Sequence, residues 1–104
     1  MKDQNIKTDL TKFTKSTFRK WHILKWKLVF TNTELVKKEI AQVRFFTQRI
    51  LFNEIYLTKI TENEQKQAIL HEVAHVCVGT GGHTKEFRRI CDEIGCTQKT
   101  SILK

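Results

Sequence analysis

The segment His71-Glu72-Val73-Ala74-His75 carries side chains whose types and spacing suit metal-assisted hydrolysis. Residues i and i+4 lie one above the other on a helix, so His71 and His75 can bind one metal ion together. Glu72 lies beside this pair and is not needed as a ligand. In zinc peptidases a glutamate at this place acts as general base on the metal-bound water. Because so short a motif also arises by chance, the surrounding elements decide its meaning.

The sequence around the motif predicts a buried helix. Thr61 and Glu64 have the spacing of a capping box, which begins a helix. After Gln67 this helix is polar at the two histidines and Glu72 alone. Its other positions are apolar, namely Ala68, Ile69, Leu70, Val73, Ala74, Val76, Cys77 and Val78. Buried His and Glu cost free energy unless they are paired or coordinated, and a metal ion would be their partner.

A third ligand follows after a glycine-rich turn. Residues 79–82 read Gly-Thr-Gly-Gly, and either Gly79 or Gly81 can take the left-handed conformation that lets the chain turn back. His83 comes directly afterwards. A catalytic zinc site needs three protein ligands and an open fourth position, so we expect His83 to complete the site. The other interpretation is an exposed loop histidine.

A second helix is predicted beyond His83. Thr84 is suited to cap it, and Gly95 is suited to end it. Between them, four apolar residues recur with helical spacing, namely Phe87, Ile90, Cys91 and Ile94. A short loop between two helices would hold His83 firmly.

Other metal-site layouts are distinguished by spacing. Metzincins place their third histidine six residues after the second, whereas His83 comes eight residues after it. A gluzincin-type site would take a carboxylate from a later helix, and Glu86 and Glu93 are available for it. A cysteine ligand such as Cys77 or Cys91 would instead close the site and make the metal structural.

The run from residue 26 to residue 96 resembles a small SprT-like metalloprotease domain, the family that includes Spartan. The matching pieces are residues 26–32, 53–57, 69–75, 81–87 and 94–96. Short members of that family have a strand before an E-I-x-L strand, then a Leu-His-Glu-x-x-His helix, a glycine-rich turn and a histidine. A final helix then ends in Gly-Cys. This chain departs from the pattern in its glycine turn, which is shorter and lacks a proline.

The resemblance implies a zinc site with His71, His75 and His83 as ligands and Glu72 as catalytic base. It further implies action on proteins attached to DNA, a role in DNA repair. In zincins an edge strand beside the site can bind the peptide substrate by strand addition. The chain ends soon after Cys96, so we expect a minimal form of the family without a zinc ribbon.

Length and composition favour one compact domain. The chain has 104 residues, no proline, no repeat and no apolar run long enough to span a membrane. We expect a basic N-terminal helix within residues 1–24, strands within 25–60, the metal-site helices within 61–96 and a tail at 97–104. The N-terminus is polar, and three cysteines without a C-x-x-C pair indicate reduced thiols, so we expect a cytoplasmic monomer.

The positive charge lies in one half of the chain. Residues 1–60 hold 13 Lys and Arg against 5 Asp and Glu, whereas residues 61–104 hold 6 of each kind. Residues 12–27 contain no acid and six cations, namely Lys12, Lys15, Arg19, Lys20, Lys25 and Lys27. The predicted helix has its apolar face elsewhere, at Ile6, Leu10, Phe13, Thr17 and Trp21.

A basic face of this kind is typical of nucleic-acid binding. If exposed, Phe18, Trp21 or His22 would stack on unpaired bases, which favours single-stranded DNA as the partner. The other interpretation is a merely solvated basic face, with Trp21 in the core. Charge alone does not decide between these two.

The middle of the chain predicts about three strands. Trp26, Leu28 and Phe30 alternate with more polar residues, and residues 43–46 and 50–57 are rich in β-branched and aromatic types. No Gly or Pro marks the turn between the last two strands. The order of elements predicts an α+β fold with an antiparallel or mixed sheet. The sequence does not identify the strand that binds substrate, and the segment at 50–57 is one candidate.

The function that these patterns favour is zinc-dependent peptide hydrolysis with Glu72 as general base. Tyr56 and His22 are candidates to stabilise the oxyanion by residue type only. Two alternatives stay open: a nucleic-acid-binding module with a structural zinc, and a zinc hydrolase that has no link to DNA.

Overall fold

A computed structural model describes residues 2–31, 39–79 and 82–97. Three α-helices, three strands and one short 3-10 helix follow one another within these ranges. In chain order they are α1 (Lys2–Lys20), β1 (Lys27–Thr31), β2 (Ala41–Arg44), β3 (Arg49–Asn53), the 3-10 helix (Glu54–Tyr56), α2 (Glu62–Val78) and α3 (Lys85–Ile94). The predicted α+β fold is confirmed.

The sheet is mixed, and β3 is its central strand. The strand order is β1-β3-β2, with β1 parallel and β2 antiparallel to β3. Lys27 of β1 and Arg44 of β2 both pair with Arg49 of β3. Because β3 has a partner on each side, the candidate strand at 50–57 has no free edge to offer to substrate. Among the described strands, the edges belong to β1 and β2.

Two strand boundaries also differ from the prediction. β2 ends at Arg44, and Phe45 to Gln48 form the turn, with Gln48 at φ 56° in place of a glycine. β3 ends at Asn53, because its side chain accepts a hydrogen bond from the Ile55 backbone N–H at 3.2 Å and thereby begins the 3-10 helix. An Asn cap overrides the strand preference of the residues that follow it.

Two clusters of buried side chains form the core. The first joins α1 and α2 to one face of the sheet and contains Leu10, Phe18, Ile40, Ile50, Phe52, Leu57, Ala68, Ile69 and Val73. The second joins α2 to α3 and contains Leu70, Ala74, Phe87, Ile90, Cys91 and Cys96. The α2 helix contributes to both clusters, which explains its apolar composition.

Helix α1 packs through the face that its periodicity predicts. Leu10, Thr14 and Thr17 are buried, and the two threonine hydroxyls donate to the carbonyls of the residues four earlier. Phe18 is buried too, so the expectation that it stacks on bases is wrong. Trp21 is half-buried against the second cluster. Within the described ranges, none of the helices combines the length and the apolar character that a membrane span requires.

Candidate metal centre

The metal-site helix begins and ends as the sequence predicts. The Thr61 hydroxyl accepts a hydrogen bond from the Glu64 backbone N–H at 3.1 Å, and the Glu64 carboxylate accepts one from the Thr61 N–H at 2.8 Å. Gly79 ends α2 with φ 87°, and its N–H donates to the His75 carbonyl at 2.8 Å. Gly81, the other glycine considered for this turn, lies outside the described residues. These caps fix the helix on which His71 and His75 lie.

Three imidazoles converge at the C-terminal half of α2. The Nε2 atom of His71 lies 3.2 Å from Nε2 of His75 and 3.3 Å from Nε2 of His83. His71 and His75 are buried, whereas His83 is exposed. The structure therefore brings together all three residues that the sequence predicts as metal ligands.

The spacing of these nitrogens fits a tetrahedral metal ion. With Zn–N bonds of about 2.0–2.1 Å, ligand atoms at the corners of a tetrahedron are about 3.3–3.4 Å apart. The separations of 3.2 and 3.3 Å around His71 come close to this value. Neutral imidazole nitrogens are the usual ligands of zinc, so the donor set fits as well. The exposure of His83 leaves one side of the group open to solvent.

The phenyl ring of Phe87 packs against all three imidazole rings. Its ring stacks on the His75 imidazole, with centroids 4.2 Å apart and planes 26° apart. Its centroid lies 5.0 Å from those of both His71 and His83, at steeper angles. The phenyl ring is fully buried. Helical spacing predicts Phe87 as a core residue, but its contact with all three histidines is visible only in the structure.

Glu72 is buried between α2 and the sheet. The backbone N–H of Val43, in β2, donates a hydrogen bond to its carboxylate. Burial, together with the nearby carboxylate of Glu39, raises the pKa of Glu72 from 4.5 to about 8, although the bond from Val43 opposes this rise. A raised pKa makes the ionised carboxylate of Glu72 a stronger base than that of an ordinary glutamate.

Glu39 is a site residue that the sequence does not reveal. It lies just before β2, where Asn53 holds the chain: the Asn53 side-chain amide donates to the Glu39 carbonyl at 3.1 Å, and its backbone N–H donates to the Ile40 carbonyl at 2.8 Å. One buried carboxylate oxygen of Glu39 has no hydrogen-bond partner within the described ranges. Only tertiary packing brings this residue near Glu72.

Helix α3, which follows His83, is capped by Thr84 at its start and is hydrogen-bonded to α2 at its end. The Phe87 backbone N–H donates to the Thr84 hydroxyl at 3.2 Å, so Thr84 is the predicted cap. At the other end, the Gln67 side chain donates to the Gly95 carbonyl at 3.2 Å and accepts from the Thr97 N–H at 2.7 Å. Gly95 has φ 89°, as its predicted role in ending the helix requires. The Gln67 contacts were not predicted from sequence.

The cysteine and glutamate residues considered as alternative metal ligands lie apart from the three histidines. Cys91 is buried in the second core cluster and Cys77 packs against both clusters. The group that could hold a metal ion within the described residues consists of the three histidines. Glu86 and Glu93 are exposed on α3, where Glu93 accepts a hydrogen bond from Arg89 at 3.1 Å. The gluzincin-type layout and the closed cysteine-containing layout are thus not those of this site.

The residues predicted to stabilise an oxyanion or to bind nucleic acid lie on other elements of the fold. Tyr56 lies in the 3-10 helix and packs against the first core cluster, while His22 follows α1, exposed and with φ 59°. The six predicted nucleic-acid contacts are all exposed. They are Lys12, Lys15, Arg19 and Lys20 on α1, Lys25 after it, and Lys27 at the start of β1.

Two solved structures are similar to this chain in fold. One is the metallopeptidase zymogen abylysin of Pyrococcus abyssi, at 22% identity and a TM-score of 0.66, covering 79% of this chain and 75% of that one. The other is the metallopeptidase zymogen jannalysin of Methanocaldococcus jannaschii, at 20% identity and a TM-score of 0.64, covering 81% and 88%. No match was found among curated proteins.

The sequence itself matches a protein family over almost its full length. The model of the SprT-like family aligns with residues 6–103. The match includes most of α1 and the whole sheet, and so extends well beyond the segments on which the resemblance rests. With the three-histidine group on α2 and beside α3, this match establishes that the chain belongs to the SprT-like family.

Proposed function

We propose that this protein is a zinc metallopeptidase that cleaves proteins bound to or near DNA. The observation that carries the proposal is the convergence of three imidazole nitrogens, 3.2 and 3.3 Å apart, beside a buried glutamate. Family membership and the fold shared with two metallopeptidase zymogens support it. His71, His75 and His83 are the proposed ligands, and Glu72 is the proposed base.

Each residue has a defined task in this mechanism. A bound zinc ion supplies Lewis acidity, polarising the attacking water and the scissile carbonyl. Glu72 accepts the proton of the water as it attacks and passes it to the leaving amine. The Val43 N–H holds the Glu72 carboxylate in place through its hydrogen bond. Phe87 fixes the planes of the imidazoles so that their Nε2 atoms stay directed at one point.

The edge of β2 offers a place for the substrate backbone. A Val43 N–H that donates to Glu72 points away from β3, so the outer edge of β2 faces the catalytic carboxylate. An extended peptide that pairs with this edge would pass Glu72 and bring its carbonyl groups to the metal. This assignment replaces β3, whose two edges are both occupied.

The link to DNA is supported by charge. The exposed cations Lys12, Lys15, Arg19, Lys20, Lys25 and Lys27 give α1 and the chain after it a strongly positive surface. Such a surface attracts a polyanion and loses affinity as salt rises. It would bring the peptidase to proteins that are themselves bound to DNA.

Cleavage of an unfolded basic protein, with and without single-stranded DNA, tests the proposal. We expect zinc-dependent cleavage that a chelator stops and that DNA increases. Glu72→Gln should retain zinc and lose cleavage, whereas Glu62→Gln, an exposed glutamate on the same helix, should cleave normally. Cleavage by the Glu72 variant would refute its role as base. DNA-independent cleavage would favour a zinc hydrolase unconnected with DNA, and zinc binding without any cleavage would favour a structural zinc.

A further inference from the structure

Glu39 brings a second carboxylate to the neighbourhood of Glu72. Its charge contributes to the raised pKa of Glu72, so the two carboxyl groups lie close enough to interact. One oxygen of the Glu39 carboxylate is buried and accepts no hydrogen bond from the described residues. The ion pairs within the described ranges lie elsewhere, at Lys7, Lys66 and Arg89. The surroundings thus leave this acidic group without a partner for its buried oxygen.

An unsatisfied carboxylate oxygen in this place destabilises the fold. Taking a polar atom out of water without a replacement partner costs free energy, and the nearby carboxyl of Glu72 adds repulsion when both are ionised. Native structures leave few buried polar atoms without a partner, and a catalytic role or a bound ligand is a common reason for those that remain. The chemistry that would satisfy Glu39 is a positive charge with hydrogen-bond donors.

The main chain holds Glu39 at a defined place. The Asn53 side-chain amide donates to the Glu39 carbonyl at 3.1 Å, and the Asn53 N–H donates to the Ile40 carbonyl at 2.8 Å. Asn53 is buried at the end of β3, and Ile40 is buried in the first core cluster. A residue anchored in this way can select a ligand, because its position is fixed before the ligand binds.

Glu39 also lies along the path proposed for the substrate. β2 begins two residues after it, at Ala41. Because Ile40 bonds to β3 and successive residues of a strand alternate, Ala41 and Val43 direct their backbone groups to the outer edge. A peptide extended along this edge past Val43 and Ala41 reaches Glu39 within about four residues of the scissile bond.

We propose that Glu39 determines specificity by selecting peptides that carry a positively charged group close to the scissile bond. The ammonium group of lysine and the guanidinium group of arginine supply both the charge and the N–H donors that the carboxylate lacks. A free amino terminus has the same chemistry. The inference rests on the peptidase activity of the proposed function and deepens it, since proteins that bind DNA present lysine and arginine.

A second metal ion is the other cation to consider. Among the described residues, the group that could hold a metal ion consists of the three histidines and does not include Glu39. Calcium takes about six to eight oxygen ligands, and magnesium requires near-octahedral geometry. A single carboxylate suffices to pair with an ammonium or guanidinium group. The surroundings of Glu39 therefore favour an organic cation.

Peptide binding to the Glu72→Gln variant, which should not cleave, tests recognition by itself. Labelled, acetylated peptides carry one lysine, moved through each position of a neutral sequence, or norleucine in its place. Fluorescence anisotropy should show tighter binding of the best lysine peptide by roughly 10- to 100-fold, the range for a hydrogen bond to a charged group. Adding Glu39→Gln should remove this preference, and adding Glu39→Lys should shift it to a glutamate peptide.

Glu62→Gln added to Glu72→Gln provides the matched control. Glu62 is an exposed glutamate at the start of α2, about 15 Å along the helix from Glu72, so the preference for lysine should persist. A preference present in acetylated peptides assigns the charged group to a side chain, and one present only in unblocked peptides assigns it to the amino terminus.

Three results would overturn the proposal. The first is equal binding of lysine and norleucine peptides, whether blocked or unblocked. The second is a preference that survives Glu39→Gln or disappears equally in the control. The third is calcium or magnesium binding that depends on Glu39, without any preference among the peptides.

Cleavage of the same peptides by the protein with Glu72 intact separates this inference from the peptidase proposal. The preference for lysine should recur in kcat/KM and diminish in Glu39→Gln. If Glu39 only tuned Glu72, the substitution would change kcat/KM for lysine and norleucine peptides by the same factor, which would refute selection. Cleavage without preference would likewise refute the role of Glu39 alone. Preference in binding without any cleavage would refute the peptidase proposal and leave recognition by Glu39 standing.

Discussion

The imidazole of His75 lies almost flat on the phenyl ring of Phe87, with centroids 4.2 Å apart and planes 26° apart. Because Phe87 is fully buried on α3, this contact ties the orientation of a proposed metal ligand on α2 to the packing of the next helix. The same ring also lies 5.0 Å from the centroids of the other two histidines. One side chain outside the three-histidine group therefore packs against all of its members.

Replacing Phe87 by leucine should weaken zinc binding beyond its effect on stability. Leucine fills most of the space but offers no flat surface to His75, so we expect zinc affinity to fall by up to about 10-fold. The loss of stability should be roughly 1–2 kcal/mol. Phe52→Leu is the matched control, because Phe52 is equally buried in the first core cluster. If both variants bind zinc alike, Phe87 serves the core and not the metal group.

His83→Ala should remove the metal without unfolding the protein. His83 is exposed and lies in a loop, so its loss leaves both core clusters intact, while a site with two ligands should bind zinc at least about 100-fold more weakly. Zinc stoichiometry after gel filtration and circular dichroism measure the two effects. His22→Ala, an exposed histidine outside the ligand group, should bind zinc fully. An unchanged stoichiometry in His83→Ala would mean that the third ligand is another residue.

Gly79→Ala should destabilise the protein through its backbone alone. Gly79 has φ 87°, and a Cβ atom there would meet nothing within 4 Å, so the strain of the left-handed conformation, roughly 1–2 kcal/mol, is the whole effect. Gly79→Asn should lose less, since asparagine tolerates that conformation. Gly82→Ala would meet only an ordinary contact of 3.7 Å to Thr84 and should be milder. Urea denaturation compares the three variants.

The metal-free protein should lose stability as pH rises. Folding raises the pKa of Glu72 from 4.5 to about 8, so between these values the folded state binds more protons than the unfolded state. The free energy of unfolding then falls with increasing pH across this window, because the buried carboxyl must ionise. Melting temperatures in the presence of a chelator, from pH 4 to pH 9, measure the trend.

Glu72→Gln supplies the control for this pH dependence. Glutamine does not titrate, so the decline that comes from Glu72 should disappear while the rest of the profile is kept. Glu39→Gln should reduce the decline in part, because it removes the second of the two causes that raise this pKa. A Glu72→Gln profile that falls as steeply as that of the unmodified protein would assign the decline to other groups.

Local rules predicted the parts of the site that lie close together in the chain. The capping box of Thr61 and Glu64, the left-handed Gly79 and the pair His71 and His75 depend on neighbours within one or two helical turns. Predicting His83 needed one further step, since residues 79–82 separate it from α2 in the chain. These features are confirmed because nothing in the tertiary structure competes with them.

Sequence patterns failed where distant contacts or an unusual turn decide. Phe45 and Phe46 favour strands, yet they lie in a turn in which Gln48 adopts a positive φ. The position of β3 in the middle of the sheet follows from its parallel pairing with β1, which no local signal marks. Glu39 reaches the neighbourhood of Glu72 only because Asn53 holds the chain there.

The placement of α2 in both core clusters has a consequence for amide hydrogen exchange. Ala68, Ile69 and Val73 anchor the helix in one cluster, while Leu70 and Ala74 anchor it in the other. Its central amides can therefore reach solvent only when both clusters open, which amounts to global unfolding. The amide of His83, in an exposed loop, needs no such event. If the three histidines bind a metal as proposed, its release would thus start at His83, while His71 and His75 on the helix would still be in position to rebind the ion.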